Sequence, residues 1–173
     1  MAHTSLAIFV LFSGRHDEAR RRLNLALDLD PNSMFARGYL GVSYGFGGDR
    51  EIALSHLEEA LLLSPRGPLV AIWYLCKGWA ALTAERYEEA IEFATQASEA
   101  NSEFPDIYAV LASANGNLGR TTTAGAALDQ LLRRIPELTV GDERLNRPFV
   151  QAADRERFLE GLRKAGMPAR PSG

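Results

Sequence analysis

The chain has 173 residues, 46% of them hydrophobic and 24% charged, with a formal net charge of −3. That apolar content excludes a disordered chain, and the single cysteine, Cys76, excludes an internal disulfide framework and points to a reducing, cytoplasmic setting. Charge is uneven, with ten acids and three bases over residues 51–106 and ten bases and seven acids over 107–173, but no dense Lys/Arg stripe marks a nucleic-acid surface.

An apolar run, residues 5–12, opens the chain. No basic segment precedes it and no small-residue cleavage site follows, so it reads as a helix over about 3–13 rather than a leader, and it is too short to span a bilayer. The second helix, about 16–28, places Ala19, Leu23, Ala26 and Leu27 on an inner stripe and Arg20, Arg21 and Arg22 largely outward. Asp30, Pro31 and Asn32 form a link, and Ser33 is the expected N-cap of a third helix over about 33–46. Asp49 is the expected N-cap of the fourth, about 50–63. Pro65 and Pro68 bracket the next link, and Pro68 suits the first turn of a lengthened fifth helix over about 68–84. That helix is apolar nearly all round, with Lys77 its only charge. Further helices are expected at about 87–100, 104–118 and 121–134. Beyond Pro136 come a short helix within 138–145, a break at Asn146-Arg147-Pro148-Phe149, and an amphipathic helix over 154–165 carrying Phe158, Leu159, Leu162 and Ala165 on one side. Residues 167–173 read as a frayed tail.

The turns between helices repeat. Gly14-Arg15-His16-Asp17, Gly48-Asp49-Arg50-Glu51, Glu85-Arg86-Tyr87-Glu88 and Gly119-Arg120-Thr121-Thr122 each precede an alanine, and Ala19, Ala53, Ala90 and Ala124 are spaced by 34, 37 and 34 residues. Within the second unit, small residues at Gly41, Ala53 and Ala60 face large ones at Leu40, Tyr44 and Leu57, as close packing of two antiparallel helices requires. This pattern resembles the tetratricopeptide repeat, met most fully by Leu40, Gly41, Tyr44, Ala53, Leu57 and Pro65. The resemblance implies an all-α, right-handed α-solenoid: four helix pairs (about 1–31, 34–65, 68–102 and 104–136) and a C-terminal capping segment over 137–166.

Catalytic and metal chemistry find little support. Gly41-Val42-Ser43-Tyr44-Gly45 matches the nucleophile-elbow spacing, and Asp49 and His56 follow it, but the elbow needs a strand-to-helix turn and this serine lies in a helical pattern. Gly45-Phe46-Gly47-Gly48 lacks the Lys and Ser/Thr of a phosphate loop. His3, His16 and His56 form no metal motif, and Cys76 reads as a small buried hydrophobe. No cofactor, metal or catalytic residue is assigned.

The resemblance also implies that the first helix of each unit lines a concave, peptide-binding face. Carried onto this chain, that face includes Phe35, Val42 and Phe46 from the second unit, Ile72, Leu75, Trp79 and Leu82 from the third, and Ser113 and Asn117 from the fourth. It would be apolar over three units and polar in the fourth. Such a patch marks either an interaction site or a surface covered by the chain's own packing or by a neighbouring domain. The expected function is a non-enzymatic protein–protein interaction scaffold whose partner is a protein or peptide, with self-association or docking on a linked domain as the alternative and no role in nucleic-acid or membrane binding. A further resemblance rests on residues 157–168 (RFLEGLRKAGMP), on Leu63-Ser64-Pro65-Arg66 with the apolar helix after it, and on Leu138-Thr139-Val140. Together these are similar to the C-terminal repeat region of bacterial class III adenylate/guanylate cyclases and related regulators, which implies a regulatory module in a bacterial cytoplasmic protein. The cyclase catalytic segment has no counterpart in the sequence.

Overall fold

The computed structural model describes residues 2–169, except for the side chains of Ala2 and His3. The helices are α1 (Ala2–Phe12), α2 (His16–Leu29), α3 (Met34–Gly47), α4 (Arg50–Leu63), α5 (Val70–Thr83), α6 (Tyr87–Ala100), α7 (Pro105–Asn117), α8 (Thr121–Arg134) and α9 (Ala152–Lys164), with a 3-10 turn at Glu143–Leu145. No strand occurs among the described residues. Consecutive helices pair as α1/α2, α3/α4, α5/α6 and α7/α8, and each pair packs on the next, so the architecture is a helical solenoid.

The turn inside each pair demands a left-handed residue. Gly14 (φ 78°), Gly48 (φ 89°) and Gly119 (φ 73°) supply it in three units, and Glu85 (φ 59°) takes the same place in the third. Ser33 caps α3 as expected, its hydroxyl accepting from the Ala36 N–H. Asp49 makes no side-chain cap; its role is taken by backbone geometry alone.

Close packing within a pair follows the small-against-large pattern. A side chain on Gly41 would collide with Leu57 and the Ala53 carbonyl of the same pair, and, between successive pairs, one on Gly38 would collide with the Trp73 ring. Helix α5 is not lengthened. It has 14 residues, the same as α3; of the three extra residues of the long period, two lie in the link before it (64–69, against 30–33) and one in the turn after it (84–86, against 48–49). Its all-round apolarity comes from position: α5 meets α3, α4, α6, α7 and α9. Its only charge, Lys77, is 7% exposed, pairs with Glu58 at 3.2 Å and sits 4.4 Å over the Phe93 ring.

The segment after α8 does not continue the repeat. It turns back over the concave side, and its end is held: the Val140 N–H donates to the Pro168 carbonyl at 3.1 Å and Met167 is buried. Met167 and Pro168 therefore belong to the packed fold rather than to a frayed tail, of which residues 170–173 lie outside the described residues.

Added carbon at Gly119 meets nothing within 4 Å, so its cost is purely conformational. Gly119→Ala is expected to lower stability by about 1 kcal/mol in chemical denaturation. Glu85→Gly is expected to shift it the opposite way by a smaller amount, because it relieves the left-handed backbone but gives up the exposed pair with Arg157.

Candidate partner groove

The repeat register places the expected lining residues on the concave side, but most of them are not open to a partner. Val42, Phe46, Leu75, Trp79 and Leu82 are buried, as is Ser113, and Asn117 is half-buried. Phe35 and Ile72 remain accessible, Phe35 at 44%. The covering element is the chain's own C-terminal segment, and two of its side chains, Phe149 and Phe158, enter the groove. Trp79 makes edge contacts with both, at ring separations of 5.9 and 4.9 Å, and Phe46 meets Phe149 at 5.3 Å. Trp79 is thus a core residue, and the open groove expected over three units is shortened at its C-terminal end.

Helix α9 reaches this position by crossing α7 very closely. A side chain on Gly116 would sit 2.1 Å from the Gly161 carbonyl, and one on Gly161 would sit 2.3 Å from the Ser113 carbonyl. The absence of side-chain carbon at both positions lets the polar residues of α7 read the α9 backbone. Ser113 donates its hydroxyl to the Phe158 carbonyl at 2.9 Å, and Asn117 donates to the Arg157 carbonyl at 3.1 Å. The polar character of the fourth unit's concave face serves this internal helix. Arg157 adds a bond to the Thr83 carbonyl at 3.0 Å and pairs with Asp154 at 3.1 Å.

Ahead of α9, residues 146–151 form an extended strap across the groove. Arg147 pairs with Asp106 and lies over the Trp79 ring. The Val150 N–H donates to the Phe46 carbonyl at 3.0 Å. The Pro148 carbonyl accepts from His16 Nε2 at 2.7 Å. Because a carbonyl only accepts, that nitrogen carries the hydrogen. His16 Nδ1 then takes the hydrogen of the Ser43 hydroxyl at 3.3 Å, and Ser43 Oγ accepts from Arg20 Nε at 3.0 Å. The chain of bonds is complete only for a neutral imidazole. Burial first, then the Arg20 cation, hold the His16 pKa below its usual value, against the Pro148 and Ser43 bonds and Asp17, which favour the charged ring.

The sequence marks Asn146-Arg147-Pro148-Phe149 only as a break and reads His16 as a surface turn residue and Arg20 as largely outward, whereas His16 is buried under the strap and Arg20 bonds Ser43. The signal was present in part: Pro148 biases Arg147 toward extended backbone, and an aromatic beside such a bend is an anchor in search of a pocket.

The strap leaves beside it a cleft of about 350 Å³ lined from α1, α3, α5, the start of α7 and the strap itself. Phe12, Tyr39, Ile72, Phe104 and Cys76 border it, Val42, Phe46, Leu75 and Trp79 floor it, and Asp106 and Arg147 stand at one end. Phe12 is 56% exposed there. Burial pushes the Cys76 thiol up to about 12, with Asp106 adding to the shift, so it stays protonated at neutral pH and behaves as an apolar wall.

The elbow-like serine has a structural role. Ser43 lies in the middle of α3, fully enclosed, with its oxygen accepting from an arginine. His56, the other residue of that spacing, stacks on Tyr44 at 5.7 Å instead of approaching Ser43. Among the described residues no group of three His, Cys, Asp or Glu is placed to hold a metal ion, and no helix is long and apolar enough to cross a membrane.

Residues 40–102 match the tetratricopeptide repeat family model. None of the curated proteins compared with the chain matches it. Among solved structures, a thermophilic TPR protein of Thermus thermophilus superposes with a TM-score of 0.70 at 20% identity, covering 95% of this chain and 88% of that one. MamA from Desulfovibrio magneticus gives 0.65 at 21% identity over 78% and 74%. The Thermobaculum terrenum O-GlcNAc transferase gives 0.69 at 21% identity over 77% of this chain, which spans only 25% of that enzyme. At these identities the likeness is one of fold: a helical-repeat solenoid. The match to the tetratricopeptide repeat model covers residues 40–102, and the fold of the whole chain is like that of these solved helical-repeat structures.

Two outcomes follow from this geometry. Gly161→Ala forces α9 off the Ser113 backbone and is expected to cost about 1–3 kcal/mol, with a change in tryptophan fluorescence as Phe158 moves from Trp79. Acid should loosen the fold. A depressed histidine pKa leaves stability intact above the unfolded value of about 6.5 and removes it as pH falls through the folded value. His56, also depressed chiefly by burial, acts in the same direction. Asp154, raised chiefly by burial, acts oppositely but in the carboxylate range below. Melting temperature should therefore fall between about pH 7 and 5, and His16→Gln should reduce that slope, leaving the His56 share.

Proposed function

We propose that the chain is a non-enzymatic interaction module that holds an apolar segment of a partner protein in the cleft beside the strap. The observation that supports this reading is the cleft itself: an accessible apolar recess with aromatic walls and a single charged pair at its end. A partner's aromatic or aliphatic side chain would enter between Phe12 and Ile72 and rest on Val42, Phe46, Leu75 and Trp79. Ser113 and Asn117 fix α9, whose Phe158 backs Trp79; Leu82 lies in the same core, and Phe35 lines a separate recess with Thr4, Ile8 and Leu29. Each fully buried anchor contributes about 1.5–3 kcal/mol. Two or three anchors, offset by the cost of association, give affinities on the order of micromolar. The Asp106–Arg147 pair offers both a carboxylate and a guanidinium to the partner's backbone or to a polar flank.

The similarity of residues 157–168 to the repeat region of bacterial class III cyclases supports a particular setting. In it, the module regulates or recruits within a bacterial cytoplasmic signalling protein, and the partner segment belongs to a linked or associated catalytic domain.

The test is selection of displayed peptides on the immobilised chain. Selected sequences should carry aromatic or aliphatic anchors, and Phe12→Glu and Ile72→Glu, with unchanged helical circular dichroism, should each weaken their binding about tenfold or more. Undiminished binding to both folded variants, or selection of purely polar sequences, would overturn the reading.

A further inference from the structure

The strap over residues 146–151 covers part of the groove without belonging to the core. No helix or strand runs through it, Phe149 is only partly buried, and Val150 is 55% exposed. At one end Arg147 pairs with Asp106 and lies over the Trp79 ring. In the middle the Phe149 ring rests on Phe46, Trp79 and Phe158. The main chain is tied to the first two units by hydrogen bonds, the Pro148 carbonyl accepting from His16 Nε2 and the Val150 N–H donating to the Phe46 carbonyl. A segment with so few buried contacts opens at lower free energy than the helices around it. Phe46 and Trp79, which lie under it, also floor the cleft beside it. Lifting the strap therefore extends the cleft across rings that are now covered.

His16 is the titratable side chain of this tie, and it is 7% exposed. Its neutral ring satisfies both neighbours, Nε2 donating to Pro148 and Nδ1 taking the Ser43 hydrogen. A second proton, on Nδ1, would face that hydrogen. The Ser43 oxygen already accepts from Arg20 Nε, so the hydroxyl would have to turn away, and an imidazolium would stand beside a guanidinium in an enclosed place. Around the ring, α2 itself presents Arg20 and Asp17, α3 presents only the uncharged Ser43, and the strap presents only a carbonyl. Helix α1 brings no acid, lysine or arginine. An open recess beside the ring is lined by Arg15, Asp17, Glu18, Arg21 and Asp49, and Glu18 there is already paired with Arg15 and Arg22. A charged ring that swings into this recess meets water and the carboxylates of Asp17 and Asp49. In doing so it leaves the Pro148 carbonyl.

We propose that the strap is a proton-released gate on the cleft with His16 as its latch: the neutral ring holds residues 146–151 down, and protonation frees them and uncovers the aromatic floor to a partner segment. What enters the opened groove rests on the cleft reading above; the gate itself rests on the bonds of the strap. Burial and the Arg20 cation, which hold His16 below its usual value, give the sign. A depressed histidine favours the closed state at high pH, and that preference is lost as pH falls through the folded value. Helix α9 stays in place, because the bonds from Ser113 and Asn117 to its backbone involve no histidine.

The experiment follows two signals of the full chain by nuclear magnetic resonance between about pH 7.5 and 5: the His16 ring resonances, and hydrogen exchange of the Val150 amide corrected for its intrinsic pH dependence. Val150 protection is expected to fall by up to about tenfold per pH unit, with the same midpoint as the His16 ring, while the Leu162 amide of α9 stays protected. His16→Gln, which keeps a donor that does not titrate, should hold Val150 protection flat. His56→Gln should respond like the wild type, because His56 meets this network only by stacking on Tyr44, over which Arg20 lies. Displayed peptides selected on the chain should gain about tenfold in affinity at the acid end, and lose that gain in His16→Gln. Val150 protection that does not track the His16 ring, that falls equally in His16→Gln, or that is lost together with Leu162 would overturn the gate, and so would bound peptides with no acid gain. Peptides that bind at no pH would remove the cleft reading while the exchange measurement still judges the gate.

Discussion

The molecule depends on the meeting of four aromatic rings, Trp79 and three around it. Phe46 comes from α3, Trp79 from α5, Phe149 from the strap and Phe158 from α9, with neighbouring ring centres 4.9 to 6.0 Å apart. Edge and tilted contacts of this kind add about 0.5–1.5 kcal/mol each beyond the area they bury. They also join three parts of the chain that share no local sequence. A repeat array alone leaves its concave side exposed, because each unit packs only on its neighbours. Here the returning segment uses that side as its own binding site.

The polar contacts then have a defined task, which is to fix the returning backbone once the rings have placed it. Ser113 and Asn117 hold α9, Arg157 ties it to the end of α5, and His16 and Phe46 hold the strap. Every one of these bonds ends on a main-chain group. Side chains that read backbone fix position without selecting sequence, so the specificity of the closure lies in its shape: the glycine crossing of α7 and α9 and the aromatic pocket.

The repeat was legible in the sequence because its determinants are local. A left-handed turn selects glycine, an enclosed crossing selects glycine or alanine, and both recur at the period. The exception, Glu85, was still found from its neighbours Arg86 and Ala90. The lengthened fifth helix was misread for a definite reason. A spacing of 37 instead of 34 says that residues were inserted, but Pro68 fits a helix start and a link equally well. The concave side of the groove residues followed from the register, whereas their cover did not. Residues 138–151 carry no period of either 3.6 or 2, and an apolar stripe looks the same whether it is buried by its own chain or by another. Nothing local distinguishes Ser113 and Asn117 as ligands of an internal helix from polar residues awaiting a peptide.

The cover is uneven along the solenoid. The C-terminal units are closed over by the strap, α9 and Met167. Of the exposed large apolar side chains, all but Leu118 and Val150 precede residue 64. Exposing such groups in water is costly, and a chain able to fold one segment back over its third and fourth units does not leave its first two bare for want of means. The charge distribution points the same way, since α1 has no charged side chain while α9 alternates acids and bases on its outer face. The strap stops at the Pro148 carbonyl on His16 and the Phe46 carbonyl at Val150, short of Phe12, Phe35 and Tyr39. The closure thus buries the aromatic pocket around Trp79 and leaves Phe12, Tyr39 and Ile72 at the edge of a recess beside the strap.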